Sequence, residues 1–164
     1  MPEFRSRWGT PFVVRIRPQL SNEWIAMFAA GGLGTTRGAF ATPAPLLVLV
    51  VADGLAYLVD ATVPDAPAQI VHDQVHQVVS CAAPPLLLLV RFIDVVALGP
   101  SGVAWTTPRL CVDGLEVLHA DRRGIVCSCD NLGGTPTTLT LDPMTGARLD
   151  GTRLDPLWPP DALA

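Results

Sequence analysis

The chain has 164 residues, a net charge of −4, a pI near 5.2, only 16% charged residues and a mean hydropathy of +0.39. That length sets a single domain that can bury a core without disulfides or metal. Its acidity, with arginines in short pairs (Arg5 and Arg7, Arg15 and Arg17, Arg122 and Arg123), argues against nucleic acid and against a polybasic membrane anchor.

All 11 cationic residues are arginine. Without lysine there is no Schiff base, no Ser–Lys dyad and no phosphate-loop lysine. Arginine with abundant Ala, Gly and Pro is the usage of a GC-rich, bacterial genome. Residues 1–7 lack the apolar run of a signal peptide. The apolar stretches 46–59 and 86–98 are interrupted by Asp53, and by Arg91 and Asp94, and fall short of a spanning helix. The 4 cysteines show no secreted disulfide framework. The expectation is a cytoplasmic chain with no membrane contact. So apolar a domain is expected to leave an apolar patch exposed, most simply as an oligomer interface.

In chain order, Phe12–Arg17 and Trp24–Ala29 read as a hairpin around Pro18–Glu23. A short helix over Trp24, Ile25 and Phe28, capped by Ser21 and ended by Gly31-Gly32, is the competing reading. Gly31-Gly-Leu-Gly-Thr-Thr36 could cradle a phosphate, but it lacks a lysine and a following helix, so a flexible strand connection is preferred. Next come strands at 46–52 and 55–60 around Asp53-Gly54, a strong hairpin signal because the mirror-image turn needs positive φ twice. Strands at 68–72 and 75–80 follow, then 86–92, 94–98, 103–110 and 115–119. Asp113-Gly114 reads as a second hairpin turn. Asp121-Arg-Arg-Gly124 reads as a third, with Gly124 in a left-handed bulge position. The spacing suggests four meander units, 12–44, 45–84, 85–124 and 125–155, and a proline-rich tail containing Leu157-Trp158-Pro-Pro160.

Val96-Ala-Leu-Gly-Pro-Ser-Gly-Val-Ala-Trp105 resembles the blade segment of quinoprotein-like and WD40-like β-propellers: an apolar strand, a turn ending in Gly, then a Trp. Leu139-Thr-Leu-Asp-Pro-Met-Thr-Gly-Ala-Arg-Leu149 resembles it too, with one extra residue and Leu149 in place of the tryptophan. The resemblance implies an all-β fold of consecutive antiparallel meanders forming an incomplete propeller. It implies no cofactor and no catalytic residue. A rolled sheet or β-sandwich is the alternative architecture.

Candidate chemistry is sparse. Cys127 and Cys129 form C-x-C, Cys111 lies on a neighbouring expected strand, and His72 and His76 form H-x₃-H; together they offer the soft ligands of a zinc site. Strand alternation instead sends Ile125, Cys127 and Cys129 to one face as core residues, with the two histidines flanking a turn at Asp73-Gln74. Gly99-Pro-Ser-Gly102 is a turn, since its second glycine comes too early for a nucleophile elbow. Cys111 with His119 lacks a third, orienting group. Asp53, Asp60, Asp94, Asp113 and Asp142 are explained by turn geometry. Trp105, Arg109 and Asp113, four residues apart on extended chain, share a face that would suit recognition. The plainer reading, preferred here, is a core Trp beside a surface Arg and a turn Asp. The function expected is a non-catalytic binding or protein-interaction module acting as a homodimer, with a protein or small-molecule ligand that the sequence does not name. A Cys/His metal-binding protein and a small enzyme with a site assembled from distant residues are the alternatives.

Overall fold

The structure, a computed structural model, describes residues 10–19, 22–130 and 136–150. Short apolar runs broken by turn residues give strands throughout, with no helix among the described residues. Ser21, the tail with Trp158, and 151–155 of the last unit lie outside them.

The chain opens with a two-stranded ribbon, β1 (Phe12–Ile16) against β2 (Trp24–Phe28). In β2 the residues alternate in burial, Trp24, Ala26 and Phe28 inward and Ile25 and Met27 outward. That period of two belongs to a strand, and the helix reading falls with it. Three four-stranded antiparallel meanders follow. The first sheet holds β3 (Gly38–Ala41), β4 (Leu47–Ala52), β5 (Leu55–Asp60) and β6 (Gln69–His72). The second holds β7 (Gln77–Cys81), β8 (Leu86–Val90), β9 (Val95–Gly99) and β10 (Gly102–Thr106). The third holds β11 (Asp113–Asp121), β12 (Gly124–Asp130), β13 (Thr137–Leu141) and β14 (Arg148–Asp150). The fold is therefore all-β and built of consecutive antiparallel meanders.

The sheets group the strands one step out of phase with the sequence units, since the last strand of each unit opens the next sheet. The link 73–76 explains the offset. Gln74 takes a left-handed φ of +54°. Val75 N–H then bonds Gly54 C=O and His76 N–H bonds Val90 C=O, so the link is tied into two sheets and closes no hairpin between β6 and β7.

The layers stack in chain order, with a core between each neighbouring pair. Ile16 and Phe28 of the ribbon meet Val50, Ala52, Tyr57 and Val59 of the first sheet. Leu49, Val51, Ala56 and Leu58 meet Leu87, Leu89, Val96 and Leu98 of the second. Leu88, Val90, Val95 and Ala97 meet Leu115, Ile125, Cys127, Leu139 and Leu141 of the third. Strands β4, β5, β8 and β9 are thus covered on both faces, which is why they read as unbroken apolar runs rather than alternating ones. Each fully buried Leu contributes about 2 kcal/mol. Different sheets approach most closely at β7 and β11. There the Gln77 amide bonds both the C=O and the N–H of Val117, at 3.0 and 2.9 Å.

Turn chemistry follows the sequence at two hairpins and departs from it at one. Asp53 (φ 48°) and Gly54 (φ 84°) turn β4 into β5 as expected. The Asp121–Gly124 turn also forms, with Asp121 Oδ1 accepting from Arg123 N–H at 2.7 Å. Gly124 is not left-handed there. It is needed because a Cβ would stand 2.6 Å from the Thr140 methyl. Asp113-Gly114 is no hairpin turn but the start of β11, because 107–112 is not a strand. That segment crosses between sheets, held by Thr107 N–H to Val95 C=O and Leu110 N–H to Ile93 C=O. Gly31–Thr36 is not a loose connection either. Gly31 N–H bonds Ala52 C=O and Gly54 N–H bonds Thr36 C=O. Gly34 backs onto Gly54 so closely that a Cβ there would stand 2.7 Å from Val75 O. Among the described residues no helix is long and apolar enough to cross a membrane.

Candidate functional site

His72 ends β6, and Arg91 and Asp94 lie in the turn between β8 and β9. His72 Nε2 stands 3.1 Å from Asp94 Oδ1, which also accepts from Arg91 Nε at 3.0 Å. Arg91 Nη2 bonds the other Asp94 oxygen, and Nη1 reaches Asp73 at 3.2 Å. Asp94 is buried, so its charge is tolerable only with both oxygens engaged. Burial, with help from the Arg91 charge, pulls the His72 pKa below its ordinary value against the opposing pull of Asp94. The network clasps the edge of the first sheet to a turn of the second. His76 instead stacks on Phe92, centroids 4.6 Å apart.

The other metal candidates lie elsewhere. Cys111, Cys127 and Cys129 are buried in the core between the second and third sheets. Burial pushes the Cys127 thiol up to about 12, and a hydrogen bond to Cys129 together with burial raises Cys111. Protonated thiols are poor metal ligands, which counts against Cys111 and Cys127; the hydrogen bond from Cys111 shifts Cys129 the other way, to a lowered pKa. His72, His76, Cys127 and Cys129 are not brought together, and no group of three or more His, Cys, Asp or Glu able to hold a metal occurs among the described residues. Cys111 and His119 are engaged separately, His119 with Asp121 at 3.2 Å on the exposed side.

Trp105, Arg109 and Asp113 do not form a common face, because β10 ends at Thr106. Trp105 is a core residue whose Nε1–H donates to Pro143 C=O at 3.0 Å. Arg109 bonds the carbonyls of Cys111 and Val112 at 2.8 Å each, and Asp113 Oδ1 accepts from Gly114 N–H. Arg109 and Asp113 hold the crossing segment and the start of β11, whereas Trp105 ties β10 to the β13–β14 connection. A shallow cleft of about 440 Å³ opens between the Gly31-Gly32 backbone, Leu33, Leu55 and Asp73. Its carboxylate disfavours the phosphate that the glycines suggested, and beside Asp73 the polar Gln74 also lines it.

What sequence reading missed is the outer side of the stack. Strand alternation turns Val13, Arg15, Ile25 and Met27 away from the first sheet, and all four are exposed. The third sheet likewise has an outer face. Val117, Cys127 and Leu139 point inward, so Glu116, Ser128 and Thr138 form one outward row and Val126, Thr140 and Asp150 the next. The signal was present as period-two alternation in Phe12–Ile16 and Trp24–Phe28.

No family model matches the chain, and no curated protein or solved structure matches it. Function therefore rests on the geometry. The titratable clusters have structural partners except at His76, whose buried Nδ1 lacks a hydrogen-bond partner, and none pairs a nucleophile with an oriented base. The large unsatisfied feature is apolar: a sheet face over which none of the described residues lies.

Proposed function

We propose that this chain is a non-catalytic protein-interaction module that works as a homodimer, its contacts made by the sheet faces at the ends of the layer stack. The observation that carries this reading is the outer face of the β1–β2 ribbon, where Val13, Ile25 and Met27 are 55%, 63% and 62% exposed. These side chains adjoin one another across the ribbon, Val13 opposite Met27 and Ile25 one row on. Exposed apolar side chains occur elsewhere on the chain, but here they adjoin one another on one strand face, and a contiguous apolar face of this kind marks a contact surface. The repeated four-stranded layers support a propeller-like partial stack that a second chain extends. Four free, buried cysteines support a reducing compartment such as the cytoplasm.

The test is sedimentation equilibrium of the purified chain at micromolar concentration. The expected result is a dimer, and a double variant, Ile25→Asp with Met27→Asp, is expected to be monomeric with an unchanged circular dichroism spectrum. A native chain that stays monomeric throughout that range overturns the reading.

A further inference from the structure

The stack has two terminal faces, and they differ in charge. The ribbon face carries Arg15 among Val13, Ile25 and Met27, with Arg17 and Glu23 paired to each other at its end, so that Arg15 leaves it net cationic. The outer face of the third sheet carries Glu116 and Asp150, with Leu118, 56% exposed, and half-buried Val126 between them, and His119, opposite Val126, is paired with Asp121. None of the ion pairs among the described residues includes Arg15, Glu116 or Asp150. Asp150 is held in place by Thr140, whose N–H and hydroxyl bond its carboxylate at 2.6 and 3.0 Å.

We infer that the occupant of the ribbon face is the outer face of the third sheet of a second copy, so that chains associate head to tail. This rests on the self-association proposed above and specifies which surfaces meet. Charge decides the pairing. Ribbon against ribbon would bring two net-cationic faces into one interface, and third sheet against third sheet two faces that each carry Glu116 and Asp150; like charges brought together at an interface cost several kcal/mol. Ribbon against third sheet pairs cation with carboxylate and covers Ile25 and Met27 with Leu118 and Val126. The contact repeats what the chain already does three times internally, where sheet faces pack on sheet faces. A head-to-tail contact gives either an open filament or a closed ring. The close approach of β7 and β11 at one edge of the sheets curves the stack, and two curved copies close by making the contact twice.

The experiment is a charge swap read by sedimentation equilibrium. Arg15→Glu alone and the double variant Glu116→Arg with Asp150→Arg alone are each expected to weaken dimerisation at least tenfold, both contacts in each homodimer being repulsive. Mixed in equal amounts they are expected to form a heterodimer, because every contact in it is complementary. Circular dichroism and thermal melting of each variant check that the fold is retained. An Arg15→Glu chain that dimerises as well as the native one overturns the head-to-tail arrangement and leaves self-association standing. Two variants that both dissociate but do not recombine overturn it as well. A native chain that is monomeric removes both readings at once.

Discussion

His72 and Asp94 show how a polar pair is held at the junction of two layers. The imidazole is nearly enclosed, donates toward a carboxylate already bonded twice by Arg91, and is held neutral by burial. Its pKa in the folded chain lies below the ordinary value of 6.5 that it regains on unfolding. Above pH 6.5 both states leave it neutral and its contribution is complete. As pH falls below that value the unfolded chain takes up the proton first, so stability declines, with a slope of at most about 1.4 kcal/mol per pH unit. Urea unfolding at about pH 7 and about pH 5 is expected to show a smaller loss for His72→Gln than for the native chain. Equal losses would mean that other groups carry the acid response. The glycines at 34 and 54 act by a different route. Their Cα atoms meet where the ribbon-to-sheet connection crosses the β4–β5 turn, and a Cβ on Gly54 would stand 2.6 Å from the Cα of Gly34.

At the scale of the strand, the number of covered faces governs both composition and energy. β8 is Leu-Leu-Leu-Leu-Val because Leu87 and Leu89 fill the core with the first sheet while Leu86, Leu88 and Val90 fill the core with the third. β11 has one covered face, so Leu115 and Val117 alternate with exposed Glu116 and Leu118. Leu88→Ala is expected to cost about 3 kcal/mol through lost transfer energy and an unfilled cavity. Leu118→Ala, on the outer face, is expected to change monomer stability by no more than about 0.5 kcal/mol. Guanidinium denaturation of the two variants, at a concentration where sedimentation shows the chain monomeric, checks the contrast; similar losses would contradict the layer assignment. Turn sequences were informative where flanking strands could pair. Asp53-Gly54 joins two strands of one sheet and makes its hairpin. Asp113-Gly114, with the same dipeptide, does not, because Pro108 and the bonds of Thr107 and Leu110 to the β8–β9 region commit the preceding segment to crossing between sheets.

At the scale of the whole chain, stability is graded along the stack, since inner sheets have neighbours on both sides and the ribbon on one. Hydrogen exchange is expected to be slowest in β4, β5, β8 and β9, and markedly faster in β1 and β2 when the chain is monomeric. Raising the concentration is expected to slow exchange in β1 and β2 toward the inner strands, because a second copy would cover them. Ribbon amides as slow as those of β8 in a monomeric variant would contradict this account.

The amino-acid sequence by itself determined the all-β class, the position of most strands, the β4–β5 and β11–β12 hairpins and the absence of lysine chemistry. These are local matters: alternation, turn residues and residue type act within a few positions of the chain. Trp105 as a core residue and the cysteines as buried thiols were also legible, from spacing on a strand. Which strands share a sheet was not, because β6 and β7 are joined by a short link that looks like a hairpin until its amides are seen bonding two different sheets. Nor was the candidate contact surface. Val13, Ile25 and Met27 look like core residues in sequence, and only the stacking of layers shows that one side of their ribbon is covered and the other is not. Burial on one face or two is a property of neighbours distant in the chain, so the tertiary structure alone decided it.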